Sequence, residues 1–355
     1  MSLATKYRPQ TFADVVEQNI TTAILERQIK NRSFKNCYGF FGTSGTGKTS
    51  LARVFALAIN NGIGDPIEID GATAGSTENI KNIVEAANTR SLTGEYKIFI
   101  IDECQMLGGG RKENSPAWAA LLKCLEDCPA YTIFIFCSTN PEKIPDAIMN
   151  RIQRYNFTPI SQKGIKERLV YICQQEGFTN YEMTCDFISK ICHGGMRDAI
   201  AMLEQVADYS KNLDINIAKQ IIGGLSYEVL FKLTWAIIQG QQAEIISMID
   251  ELYNNGQDLR LFINTYLDFI LDLIKYILFK DPSLLTIPEY LASEGNNAVA
   301  ATVDFKGSLK YFNTLSDKLL TLKALIKTDN SYKSTIEIFL IKTAIEMAVY
   351  YDRAE

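Results

Sequence analysis

Over residues 1–160 the apolar positions follow two spacings in turn, and past 160 only one of them survives. Short, nearly solid apolar runs occur at Tyr38-Gly39-Phe40-Phe41, Lys97-Ile98-Phe99-Ile100-Ile101 and Thr132-Ile133-Phe134-Ile135-Phe136-Cys137, and Ile67-Glu68-Ile69-Asp70-Gly71-Ala72 reads as a further strand and its turn. Runs of this length read as strands, and the one at 97–101 has the pattern of a buried parallel strand. Helical periodicity fills the intervals, over residues 20–30, 50–58, 80–88 and 116–127, with Ser76-Thr77-Glu78-Asn79 able to cap the third. Strands alternating with helices predict an α/β core with a parallel sheet and flanking helices over 1–160.

From Ser161 the pattern is helical throughout. Ile165, Leu169, Ile172 and Cys173 mark one helix, and Phe187, Ile188 and Ile191 a second. A third follows Gly194-Gly195 through Ile200, Leu203 and Val206, which gives a small three-helix lid over 161–224. The remainder, 225–355, carries wide apolar stripes: Val229, Leu230, Leu233 and Ile237, then Ile245, Ile246, Ile249 and Leu252, then 259–277, 308–327 and 333–351. Gly240, Asn255-Gly256 and Pro282 interrupt them. Stripes this wide need either one another or a partner subunit, so this part is predicted to be an all-α domain.

Composition acts mainly by exclusion. The 355 residues are 47% hydrophobic and 22% charged, as in ordinary soluble domains. A net charge of −5 excludes a polycationic coat but leaves room for a local basic face. The first six residues contain no apolar signal core, and the longest apolar run, 267–279, is broken by Asp268, Asp272 and Lys275, so no membrane span is expected. Eight cysteines include no C-x-x-C pair, Cys124 and Cys128 lack a second pair, and the only histidine is His193. Zinc needs about four grouped ligands, so no zinc site is expected. Scattered free thiols fit a reducing cytoplasm.

The chemistry concentrates at Gly42-Thr43-Ser44-Gly45-Thr46-Gly47-Lys48-Thr49, which satisfies G-x-x-x-x-G-K-[ST] between a strand and a helix that begins at Ser50. Glycines let successive backbone N–H groups turn toward one anion, and the helix adds its positive end. Lys48 is placed to reach the outer phosphates of ATP, and the Thr49 hydroxyl to take a Mg2+ ligand position. The strand at 97–101 runs into Asp102-Glu103. Asp102 is placed to hold the hydrated metal and Glu103 to polarise an attacking water. The next strand ends in Ser138-Thr139-Asn140, where a polar group can meet the γ-phosphate or that water. Tyr7, Arg8, Pro9, Phe12, Val15 and Val16 form an apolar and aromatic lead that fits either a cover for the base or simple packing.

These motifs together resemble the AAA+ ATPase subunits of sliding-clamp loaders, of the bacterial DNA polymerase III gamma/tau type. Lys6 to Gln18 is similar to the box K-Y-R-P-x-x-F-x-D-V-V-G-Q, with Glu17 where the family has glycine. In the family this box helps form the adenine pocket, which implies Tyr7, Arg8, Pro9, Val15 and Val16 as ATP-binding. Alignment puts the first sensor at Thr139, with Asn140 the runner-up. Pro145 to Ile152 resembles the segment whose arginine enters the neighbour's nucleotide site, which implies Arg151 as a residue acting in trans, with Arg154 competing. A guanidinium there would stabilise the charge that develops in phosphoryl transfer. Gly194 to Ala199 resembles the second sensor and implies that Arg197 reports the γ-phosphate. His193 is assigned no chemistry.

The resemblance further implies a five-subunit ring, other clamp-loader subunits, a sliding clamp and primer–template DNA as partners, and ATP with Mg2+ as ligands. DNA would be gripped by its backbone, with Lys81, Arg111, Lys112 and Lys143 as candidates by charge and position. Residues 108–113 look like an addition to the family pattern, and the family's zinc module between the first helix and second strand is missing. The missing module points to a divergent member, viral or from a reduced lineage, working at the replisome or in a host cytoplasm, and the extent of the chain corresponds to the shorter gamma-type form. Two other readings stand beside it: a branch-migration motor of the same superfamily, and a scaffold subunit that binds ATP without hydrolysing it.

Overall fold

The computed structural model describes residues 2–73, 77–110, 115–222, 227–279, 308–327, 329 and 331–352. The chain divides into two compact units, Met1–Asp214 and Ile215–Glu355.

The first unit is built on a five-stranded sheet of order β2-β3-β4-β1-β5. The strands are β1 (Cys37–Gly42), β2 (Ile67–Asp70), β3 (Lys97–Asp102), β4 (Thr132–Ser138) and β5 (Gln153–Phe157), and every pairing is parallel. Between them lie α3 (Lys48–Ile59), α4 (Thr77–Ala87), α5 (Pro116–Glu126) and α6 (Asp146–Met149); α1 (Leu3–Lys6) and α2 (Asn19–Asn31) precede the sheet. Side chains alternate across the pleat. Phe41, Phe99, Ile101, Phe134 and Phe136 pack with Ile80, Ile83, Trp118 and Leu121 on one face. Tyr38, Phe40, Ile98, Ile100, Ile133 and Ile135 pack with Leu25, Leu51, Phe55 and Ile59 on the other. Phe134 is fully buried and stacks on Phe99 at 5.0 Å and Phe136 at 6.1 Å. A Phe134→Ala change is expected to cost about 3–5 kcal/mol, read as a lowered urea midpoint at unchanged slope.

The parallel arrangement brings the carboxyl ends of β1, β3 and β4 to one edge, where ligands of open α/β sheets bind. The residues at those ends are Gly42, Asp102 and Ser138.

Three further helices, α7 (Gln162–Glu176), α8 (Glu182–Ile191) and α9 (Met196–Tyr209), pack on one another through Ile165, Leu169, Ile172, Ile188, Leu203 and Val206, all buried. The amino-terminal lead is tied to them. The Leu3 N–H donates to Glu204 at 2.8 Å, Lys6 pairs with Glu176 at 2.6 Å, and Arg168 donates to the Tyr7 carbonyl at 3.0 Å.

Glu17, which stands where the resembling family has glycine, adopts φ +57°, and Gln18 follows at +54°. Left-handed backbone costs a non-glycine residue about 1–2 kcal/mol. The Glu17 carboxylate accepts from the Ser161 hydroxyl and, at 3.0 Å, the Ser161 N–H; Ser161 in turn caps α7 by accepting from Gly164 N–H at 3.0 Å. The carboxylate thus sits at the positive end of α7, which offsets the strained turn.

The second unit is helical. Its described helices are Ile215–Ile222, Tyr227–Ile238, Gln242–Asn254, Leu259–Phe279, Ser308–Ile326 and Tyr332–Asp352. The last five share a core that includes Leu233, Ile249, Phe262, Tyr266, Phe312 and Leu340. Gly240 (φ +67°) and Gly256 (φ +74°) terminate two of them. Pro282 lies outside the described residues. No helix among the described residues is long and apolar enough to cross a membrane.

Candidate active site

The loop from Gly42 to Thr49 joins β1 to α3. Gly45 (φ +73°) and Gly47 (φ +93°) are left-handed, as the curl requires. The Thr46 hydroxyl donates to the Thr43 carbonyl at 2.9 Å and fixes the turn. Lys48 is buried, and its ammonium donates to the carbonyls of Gly42 at 2.9 Å and Thr43 at 2.7 Å. Burial lowers its pKa from the ordinary lysine value, while Cys137, Glu103 and Asp102 act in the opposite sense. The ammonium is held by loop carbonyls that phosphate oxygens can replace.

The Thr49 hydroxyl donates to Asp102 Oδ2 at 2.9 Å. These are hard oxygen donors, few in number, which suits Mg2+ that keeps most of its waters; Thr49 and Asp102 are the residues that would hold it. Among the described residues no group of three or more His, Cys, Asp or Glu side chains is arranged to hold a metal. Glu103 follows at φ +43°, against Gly71, where an added Cβ would lie 2.5 Å from the Glu103 carbonyl. Thr139 Oγ1 donates to Glu103 Oε2 at 3.2 Å, and Asn140 Nδ2 donates to Thr139 Oγ1 at 3.3 Å.

A cleft of about 420 Å³ gathers most of the expected residues. Its walls include Ser44 to Ser50, Asp102, Glu103 and Arg197, together with Tyr7, Arg8, Pro9, Val15 and Val16. The Tyr7 hydroxyl donates to Glu176, and burial together with that carboxylate raises its pKa to about 12, so it stays a donor at neutral pH. Arg53, Asp14, Ile160, Arg168, Met196 and Ile200 also line the cleft, and sequence reading missed them. Arg53 could have been found one helical turn past Thr49; Arg168 carries no local signal, because only the tertiary fold brings α7 to the loop.

The Met196 N–H donates to the Gly45 carbonyl at 2.9 Å, so α9 begins on the phosphate loop itself. A Cβ at Gly45 would lie 2.9 Å from Gly195 Cα. Gly45→Ala is therefore expected to cost about 1–2 kcal/mol for its left-handed backbone, to push α9 off the loop, and to weaken ATP binding at least severalfold in a titration.

Not all expected residues meet there. Thr139 and Asn140 reach the cleft only through Glu103. Arg151 lies outside it, donating to the Ala147 carbonyl at 2.8 Å and pairing with Glu126 at 2.6 Å. Arg154 donates to the Met149 carbonyl at 3.0 Å. Lys81 on α4 and Lys143 after β4 are exposed and away from the cleft. Arg111 and Lys112 lie outside the described residues.

The ATPase family associated with various cellular activities (AAA) matches residues 38–160. The chain is similar to the DNA polymerase III subunit tau of Bacillus subtilis, 33% identical over 292 residues, which covers 76% of this chain and 51% of the relative. It is also similar to Protein STICHEL-like 2 of Arabidopsis thaliana, 28% identical over 295 residues, 77% of this chain and 34% of the relative. The chain thus spans about half the length of the first relative and a third of the second. Among solved structures, the RuvB Holliday junction branch migration motor of Thermotoga maritima superposes with TM-score 0.51 at 17% identity, over 66% of this chain and 80% of that one; the likeness is one of fold.

Proposed function

We propose that this chain is an ATP-hydrolysing subunit of a sliding-clamp loader. The observation that carries the reading is the convergence of Lys48, Thr49, Asp102, Glu103 and Arg197 on one cleft, in a chain similar to a DNA polymerase III tau subunit. The backbone of Gly45 to Thr49 cradles the phosphates, and Lys48 exchanges its loop carbonyls for phosphate oxygens. Mg2+, when bound, would neutralise charge on the phosphate oxygens. Thr49 and Asp102 would hold it. Glu103 takes a proton from the attacking water while Thr139 steadies its carboxylate. Arg197, in the first turn of α9, senses the γ-phosphate, so the lid at 161–224 changes angle when that group leaves.

Helices of 225–355 form the collar of a five-subunit ring, and Arg151 enters the neighbouring subunit's site. Lys81 and Lys143, with Arg111 and Lys112, meet DNA phosphates without reading bases. ATP binding opens the clamp and grips primed DNA; hydrolysis releases both. The test is ATP turnover measured alone, with partner subunits and clamp, and with primed DNA added. Stimulation by clamp and DNA together is the expected result. Movement of a four-way junction without any clamp would assign a branch-migration motor instead, and binding without turnover a scaffold subunit.

A further inference from the structure

We infer that Gln105 is the positioning residue that orients the Glu103 carboxylate and ties it to the end of β4. Gln105 stands three residues past the end of β3, in the 3-10 stretch Cys104–Gly110, and is only 4% exposed. A buried primary amide has to place both its donors and its acceptor, and here every placement is accounted for. Its Oε1 accepts from the Ser138 hydroxyl at 2.6 Å. Its Nε2 donates to Glu103 Oε2 and, at 3.2 Å, to Thr139 Oγ1.

The neighbours close the network with one consistent set of donors. Ser138 is fully buried; its hydroxyl donates to Gln105 and accepts from the Asn140 N–H at 3.0 Å. Thr139 accepts from Gln105 and from Asn140, and spends its one proton on Glu103 Oε2 at 3.2 Å. Turning the Gln105 amide over would set its carbonyl oxygen against the carboxylate, so the network admits one orientation of the amide. Both donors take the same carboxylate oxygen and leave Glu103 Oε1 for the attacking water. Gln105 does not line the cleft; it acts through Glu103. The Ser138 end anchors that orientation to β4, so the base and the sensor residue move as one body.

The inference rests on Glu103 being the base, and the experiment separates the two. Single-turnover ATP hydrolysis and ATP affinity are measured on the full chain for Gln105→Met, which keeps the length and packing and removes the amide. The same change is then made on a Glu103→Gln background. Expected is a loss of about tenfold or more in rate with ATP affinity within twofold, and no further loss on the Glu103→Gln background, as two groups acting through one another require. A smaller loss, a parallel loss of affinity, or an equal loss on both backgrounds overturns the inference. Should the methionine chain fail to fold, Ser138→Ala frees the amide to turn and is expected to slow hydrolysis severalfold on the Glu103 background alone; full rate, or an equal loss on both backgrounds, overturns it. Undiminished hydrolysis by Glu103→Gln itself would remove the base assignment instead.

Discussion

With glutamine at position 103, the chain is expected to bind ATP and keep it. General-base catalysis contributes about 10²–10⁴ in rate, so turnover should fall by about 10³. The neutral amide has nearly the carboxylate's volume, so packing against Gln105 and Thr139 is preserved while proton acceptance is lost. The hydrogen bonds from Lys48 to the loop and from Thr49 to Asp102 do not use the Glu103 carboxylate. ATP affinity is therefore expected to stay within twofold. Phosphate release gives the rate and a nucleotide titration the affinity. Turnover near the wild-type rate would show that another group takes the proton.

Much of the region from 38 to 160 was legible because three of its strands, β1, β3 and β4, are nearly solid apolar runs and its motifs sit where strands end. The four strands read from the sequence lie within two residues of the observed β1 to β4, and the phosphate loop spans their junction with α3 as expected. β5 was missed. Its residues, Gln153-Arg154-Tyr155-Asn156-Phe157, form an edge strand whose alternate Tyr155 and Phe157 are buried while Arg154 and Asn156 are exposed. Two apolar residues among five do not stand out in a window scan, and the arginines nearby drew the reading toward chemistry. Gln105 and Arg168 were illegible for a different reason. Glu103 is near Gln105 in the chain, but Ser138, which fixes the Gln105 amide, and Tyr7, which Arg168 holds, are 33 and 161 positions from their partners, so only the folded sheet edge and lid bring them together. The glutamate at position 17 announced an altered turn, but not that the turn would be tethered to Ser161. Arg168 and Glu17 lie on the contact between the amino-terminal lead and the lid, which local pattern does not encode.

The largest effect is expected from Arg151→Ala in the assembled protein. An arginine entering in trans is worth about 10³–10⁵ in rate, so turnover stimulated by clamp and DNA should fall by at least about 10³. In a single chain Arg151 is tied to the Ala147 carbonyl and to Glu126, with 38% of its side chain exposed, and it does not line its own cleft. Within one protomer it has no contact with the phosphate loop; to act on phosphate it must leave Glu126 for a neighbour. Exchanging one exposed carboxylate partner for another anion is cheap, because exposed ion pairs contribute about 0–1 kcal/mol. The decisive measurement is therefore a mixture. Lys48→Ala protomers lack the loop ammonium but retain Arg151; Arg151→Ala protomers lack that guanidinium but retain an intact phosphate loop. Each preparation alone should be nearly inactive. Mixed before assembly, they place intact cradles beside intact arginines at some seams, and a measurable fraction of turnover should return. An arginine acting in cis cannot produce that recovery, since every protomer in the mixture carries one lesion. Two inactive preparations that stay inactive when mixed, although they assemble, would end the assignment of Arg151 to the neighbouring site.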